Sequence, residues 1–323
     1  MAGKVAPVNY ATPFPFDGAP FEHEGHIYNK SGKSACLAFR NLADSLDGFE
    51  LRVSNGGVLV WDKAVPGLKM KLIKAFGFID APPRAVWDFL HCPQYRVVWD
   101  ENRVEASRIV MVSPVGDIGY YAAKSPTGIA NRDFVNQRTW HNAGNGEFVI
   151  FNTSVPHTRK PQADGFVRAQ SLVTGYLIRP ADGGARSSLT YMTMTDPKGW
   201  IPSIVMNYVT TSFAPTVLNR MRKAAAHYDE WAKQKVNYTR DWTVTADPWD
   251  TPQPQLTIEF AAKFDQLRAG MPLRPATEGT RADNSTKSNG VSSAEPEGAA
   301  SANSPAASAI GEKDAPADAD PAN

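Results

Sequence analysis

The chain has 323 residues, with 34 basic against 33 acidic side chains and a net charge of +1, a balance that excludes the broad positive face of a nucleic-acid binder. No run of about 18 apolar residues offers a membrane span. Cys36 and Cys92 show no metal-ligand spacing with the histidines, so neither a disulfide framework nor a metal site is expected, and two such thiols fit a reducing compartment.

The opening MAGKVAPVNYATPFPF lacks the charged region and apolar core of a secretory signal, which predicts a cytoplasmic protein. Residues 1–30, with Pro7, Pro13, Pro15 and Pro20, read as an irregular arm. Residues 34–46 then place Cys36, Leu37, Leu42 and Leu46 near one another on a short helix that Gly48 closes. FELRVS, Gly56-Gly57 and VLVWD read as a hairpin, and KMKLIKAFGFI continues that sheet. Asp80 before Ala-Pro-Pro is a helix start, with Val86, Phe89 and Leu90 on the buried face.

Five strands follow at 104–112, 117–125, 133–141, 147–155 and 166–179, with a tight turn at Asn145-Gly146, and a sixth, SSLTYMTMT, comes after Asp182-Gly183-Gly184. From Ser203 to Lys235 the apolar positions Ile204, Tyr208, Val217, Met221, Ala225 and Tyr228 recur at near-helical spacing, and Pro215 is expected to kink that helix. Residues 238–271 form an extension with Trp242, Trp249, Phe260 and Phe264, expected to be partly ordered. Residues 272–323 are Ala, Ser, Pro, Gly and acidic groups that cannot offset their ordering entropy, hence a disordered tail. The fold class is α+β: about nine strands in a curved antiparallel sheet gripped by the long helix.

Several stretches, taken together, carry a family pattern: YRVVWD at 95–100, VGDIGYYAAKSP at 115–126, NRDFV at 131–135, GFVRAQSLVTGYLI at 165–178 and DPKGWIP at 196–202. In this order they resemble a START domain, the lipid-transfer domain related to steroidogenic acute regulatory protein, near its phosphatidylcholine-transfer-protein subgroup. The resemblance covers residues 34–236 inside a domain bounded at 31–237. It implies a helix-grip fold closed over a tunnel for one lipid, with no cofactor and no chemistry on that lipid.

A phosphate taken out of water needs a charged, hydrogen-bonding partner. Arg96 and Asp100, four apart, share a helix face and can pair; a surface ion pair is the simpler reading, and the family match assigns both to the headgroup instead. A quaternary ammonium is held by ring faces, and Tyr121 and Phe134 fall at two of the subgroup's cage positions, with Leu172 and Thr195 at the others. That incomplete cage implies a mixed choline and ethanolamine preference or another lipid altogether; Thr174 joins the headgroup set. Arg132 and Asp133 are read as a structural pair, Trp99 as core, and Tyr120 as facing away from Tyr121.

Trp200 and Ile201 are expected at the gate, and Arg220, Arg222 and Lys223, with Lys233 and Lys235 further along, at a transient membrane contact. The expected partners are therefore a phospholipid and a membrane surface, with a possible protein partner through residues 238–323. Two other readings are a lipid-sensing adaptor and, since helix-grip folds host enzymes, a hydrolase or cyclase; no G-x-S-x-G, H-E-x-x-H or phosphate-binding glycine loop supports the last.

Overall fold

The structure, a computed structural model, describes residues 17–201, 214–235, 240–242, 244–250 and 265–266. The chain opens with a small hairpin, β1 (Phe21–His23) and β2 (His26–Tyr28), inside the stretch expected to be irregular. Helix α1 (Lys33–Asp44) leads into β3 (Glu50–Asn55), β4 (Val58–Ala64) and β5 (Lys71–Ile79). Two short helices, α2 (Pro83–His91) and α3 (Pro93–Trp99), separate these from β6 (Arg103–Ser113), β7 (Gly116–Ala123), β8 (Asn131–Asn142) and β9 (Phe148–Ser154). Then come β10 (Phe166–Arg168), β11 (Gln170–Ala181), β12 (Arg186–Asp196) and the long helix α4 (Ala214–Lys233).

Strands β3 to β9, β11 and β12 form one antiparallel path in the order β3-β4-β5-β12-β11-β9-β8-β7-β6. The expected strand over 166–179 is two elements. β10 pairs parallel to β8, Arg168 grips Asp133 with two bonds of 2.9 Å, and the chain resumes as β11.

Alternation along the central strands separates the two largest buried clusters. Phe151, Val173, Leu177 and Met192 pack under α1 with Phe39, whereas Ile150, Tyr176, Ile178, Leu189 and Tyr191 face α2, α3 and α4. Two glycines set the approach of the helices. A Cβ on Gly175 would lie 2.7 Å from the Phe39 ring of α1, and one on Gly77 would lie 2.6 Å from Leu218 of α4.

Polar anchors fix both layers. Arg40 meets Glu147 at 2.7 Å, both almost fully buried, and Arg179 bridges Glu147 to Asp44 at the end of α1. The buried face of α1 is thus Cys36, Phe39, Arg40 and Ala43, one step round from the expected Leu37 and Leu42. On the other side Tyr95 donates to the Ala224 carbonyl of α4 at 2.7 Å.

The start of α2 differs from expectation. Pro82 is the cap residue and makes no side-chain capping bond, while the Asp80 carboxylate instead pairs with Arg186 at 2.7 Å. The first part of the expected long helix and the segment before Pro215 that would show a kink lie outside the described residues, as does the tail. Within the extension, Trp242 is 1% exposed, donates to Asp88 at 2.9 Å and stacks on His91 at 5.6 Å. Trp249 stacks on His141 at 3.9 Å.

Candidate functional site

Helix α3 is short and begins on the Cys92 thiol, which accepts from the Tyr95 amide at 3.3 Å. Its last turn aims Arg96 across at Asp100, with Nε donating to Oδ2 at 3.0 Å. The Tyr121 hydroxyl donates to the same oxygen at 2.9 Å, so one carboxylate joins the helix to β7. The Arg96 guanidinium lies 5.0 Å from the centre of the Tyr121 ring and 5.3 Å from that of Trp99, a cation held between two aromatic faces.

Asp100 is 8% exposed and the Arg96 side chain 26%, so the acid is the more sequestered of the pair. Burial works against the Arg96 charge, and Tyr121, Asp100 and Tyr176 around it more than offset that, raising its pKa. The phenols of Tyr121 and Tyr176 are pushed up, chiefly by burial, with Arg96 opposing. Both therefore stay neutral at physiological pH, as hydrogen-bonding groups beside a fixed positive charge. Tyr121 stands opposite Phe134 on β8 with ring centres 6.4 Å apart, and Tyr176 stacks on Tyr191 at 5.3 Å.

A second polar feature crosses the same sheet. The hydroxyls of Ser171 and Thr174 lie 2.8 Å apart, Thr174 and Thr193 3.0 Å, and Thr193 and Thr195 3.2 Å. The Ser171 amide continues this line to the Ser154 hydroxyl, which donates to Asn136. A register shift between Ser171 and Val173 places both hydroxyls of β11 within reach of each other.

Arg96, Asp100, Tyr121 and Phe134 are thus brought together, and Thr174 and Thr195 are linked through Thr193. Leu172 is not among them: it is buried in the cluster beneath α1, on the far core, because the shift at this point turns it away. Arg132 and Asp133 do not pair with each other. Arg132 donates to the carbonyls of Pro197 at 3.1 Å and Lys198 at 3.0 Å, and Asp133 holds Arg168. Trp99 packs into the α4-side core, and Tyr120 sits in a separate cluster with Tyr28 and Val135.

Arg132 fixes the loop that carries Trp200, which is 76% exposed; Ile201 is half-buried and residues 202–213 lie outside the described set. On α4, Lys223 is exposed and Arg220 pairs with Glu101 at 2.7 Å. Arg222 departs from the expected membrane role. It donates to the carbonyls of Phe78 at 2.8 Å and Gly56 at 2.9 Å, and also to that of Gly57, which clamps α4 onto β5 and the β3–β4 turn.

Sequence reasoning missed Tyr176, Tyr191 and Thr193. Counting by two from Thr174 reaches Tyr176, and from Thr195 it reaches Thr193 and Tyr191, so the signal was present in the alternation. An open depression of about 590 Å³ bordered by Pro82, Arg84, Phe148, Pro180 and Asp182 includes none of these residues.

A model of the START domain matches residues 51–230, which contain Arg96, Asp100, Tyr121, Phe134 and the hydroxyl line. The chain belongs to the START-domain family. Within it, START domain-containing protein 10 of Homo sapiens is 33% identical over 223 residues, spanning 68% of this chain and 75% of the relative. The mitochondrial steroidogenic acute regulatory protein of Gallus gallus is 26% identical over 215 residues, 64% of this chain and 76% of the relative. The crystal structure of human STARD10 superposes with a TM-score of 0.61 at 33% identity, covering 64% of this chain and 85% of that one. Human StAR-related lipid transfer protein 5, at 22% identity and a TM-score of 0.52, covers 60% of this chain and 98% of its own, and is similar in fold. The helix-grip architecture of this START domain is the one its sequence pattern implied. Among the described residues no helix is long and apolar enough to cross a membrane.

Proposed function

We propose that this START domain takes up one glycerophospholipid, with a choline or ethanolamine headgroup, beneath α4 and transfers it between membranes from the cytoplasm without altering it. The observation that carries this reading is the Arg96 guanidinium, fixed by Asp100 and flanked by the rings of Tyr121 and Trp99. A phosphate diester needs such a cation, and the neighbouring phenols supply further donors. Each buried acyl methylene contributes about 0.8 kcal/mol, so the apolar residues of the α4-side core supply the affinity and the polar cluster supplies selection. With Leu172 turned to the other core, Tyr121 and Phe134 are the two cage rings, which suits a site tolerant of both headgroups rather than one built for a quaternary ammonium.

The exposed Trp200 beside the Arg132-anchored loop suits an interfacial anchor at the gate, with Ile201 and Lys223 next to it in role and Arg220 reachable once Glu101 is displaced. A lipid-sensing adaptor working through residues 238–323 is the weaker reading, because Trp242 and Trp249 are already engaged with the domain. The test is uptake from vesicles containing fluorescent phosphatidylcholine or phosphatidylethanolamine by Arg96→Ala. Loss of uptake with an unchanged melting profile supports the reading, and full uptake by this variant overturns the headgroup assignment.

A further inference from the structure

The hairpin β1–β2 turns through two residues, Glu24 and Gly25, with His23 paired opposite His26. Gly25 has φ 78°, as a tight hairpin turn requires, but Glu24 also has φ 47°. Asn or Asp tolerates that left-handed conformation far better than Glu, so the turn keeps a carboxylate there against its backbone preference. Residues held in such conformations are often those whose side chain is needed.

That side chain points at His157, which follows β9 and whose side chain is fully buried. Oε1 of Glu24 lies 3.5 Å from His23 Nε2, and Oε2 lies 3.9 Å from His157 Nδ1. The three ligand atoms of His23, Glu24 and His157 lie within 4.8 Å of one another. In a tetrahedral site with bonds near 2.0–2.1 Å, neighbouring ligand atoms stand about 3.3 Å apart, so the set needs to close by no more than about 1.5 Å. One of these ligand atoms, His23 Nε2, is buried without a hydrogen-bond partner. A buried imidazole normally has both nitrogens satisfied, and its partial isolation inside a carboxylate and histidine cluster is the second sign of a missing ligand.

The surroundings resemble an outer shell. Thr158 donates to Glu24 Oε2 at 3.2 Å, Arg159 grips the carboxylate at 2.6 and 3.0 Å, and the Arg159 amide points at His157 Nδ1 from 3.2 Å. The Tyr28 hydroxyl, donating to the Pro156 carbonyl at 2.8 Å, fixes the hairpin one residue away.

We propose that His23, Glu24 and His157 bind a divalent transition-metal ion, with zinc the best match to two imidazoles and one carboxylate, and that the ion staples the hairpin to the domain. Ligation through His157 Nδ1 replaces the single long bond from the Arg159 amide. Arg159 is the group that opposes the cation, since it competes for the same carboxylate and carries like charge. This site lies outside the Arg96 cluster and stands or falls independently of it.

The experiment uses the full chain, stripped with a chelator and freed of any histidine tag, titrated with zinc against a chromophoric chelator. One zinc per chain is expected, with affinity lowered at least about tenfold by His23→Gln and by Glu24→Gln, and raised by Arg159→Gln. Both ligand positions are part-exposed turn or strand residues, so these variants spare the buried His157. A zinc-dependent rise in melting temperature that the same two variants abolish gives the second readout. Absence of stoichiometric zinc, or zinc binding unmoved by His23→Gln and Glu24→Gln, overturns the proposal.

Discussion

Replacing Arg222 with Ala separates the membrane role that the sequence assigns to it from the clamp seen in the fold. Its guanidinium donates to the Phe78, Gly56 and Gly57 carbonyls, where Phe78 is fully buried and Gly56 lies in an exposed turn. Bonds from a charged donor contribute about 1.5–3 kcal/mol each when the acceptor is buried, and water replaces most of this at the exposed turn. The Phe78 bond with a fraction of the other two gives a loss of about 3 kcal/mol. For a domain of this size that lowers the melting temperature by about 6–12 °C. Arg222→Lys should recover only part, because one ammonium cannot span the fork of three acceptors. The assay is thermal unfolding of both variants beside sedimentation with anionic vesicles. An unchanged melting temperature together with weakened vesicle binding would refute the clamp and restore Arg222 to the membrane face.

Trp242→Ala should cost about 3–5 kcal/mol, since the indole is buried and its removal leaves Asp88 with one bond fewer; urea unfolding measures this, and a change below about 1 kcal/mol would detach the extension from the fold. Lys74, buried and donating to the Leu42 and Ser45 carbonyls, has its pKa pushed down to about 7 from 10.5 by burial, with Asp44 opposing. Between those values the unfolded chain holds the extra proton, so this residue makes stability rise with pH from about 7 towards 10. Lys74→Met should flatten that rise relative to the parent chain in unfolding titrations, and identical pH profiles would contradict it.

Much of the fold was legible because alternation and turn residues are local signals. The hairpin at Gly56-Gly57, the turn at Asn145-Gly146 and the strands up to β9 follow from them. What was not legible depends on distant partners. Asp80 looks like a helix cap, but Arg186, more than a hundred residues later, takes its carboxylate. The break between β10 and β11 arises from Arg168 reaching Asp133 on a neighbouring strand, which no local periodicity reports. The β1–β2 hairpin escaped because its strands have three residues each and its turn carries Glu in place of the usual Asn or Asp. In the candidate site, the pairing of Arg96 with Asp100 was readable from their spacing of four, whereas their assignment to a headgroup came from the family resemblance. The turning of Leu172 came from a one-residue register shift, and the binding of Arg222 to carbonyls came from a glycine turn on another element.

The central claim is that one phospholipid resides in the domain, and native mass spectrometry after incubation with mixed phosphatidylcholine and phosphatidylethanolamine vesicles tests it most directly. The account predicts a one-to-one adduct whose lipid, released on denaturation, belongs to these two classes. A protein that stays free of lipid under the same conditions would contradict it.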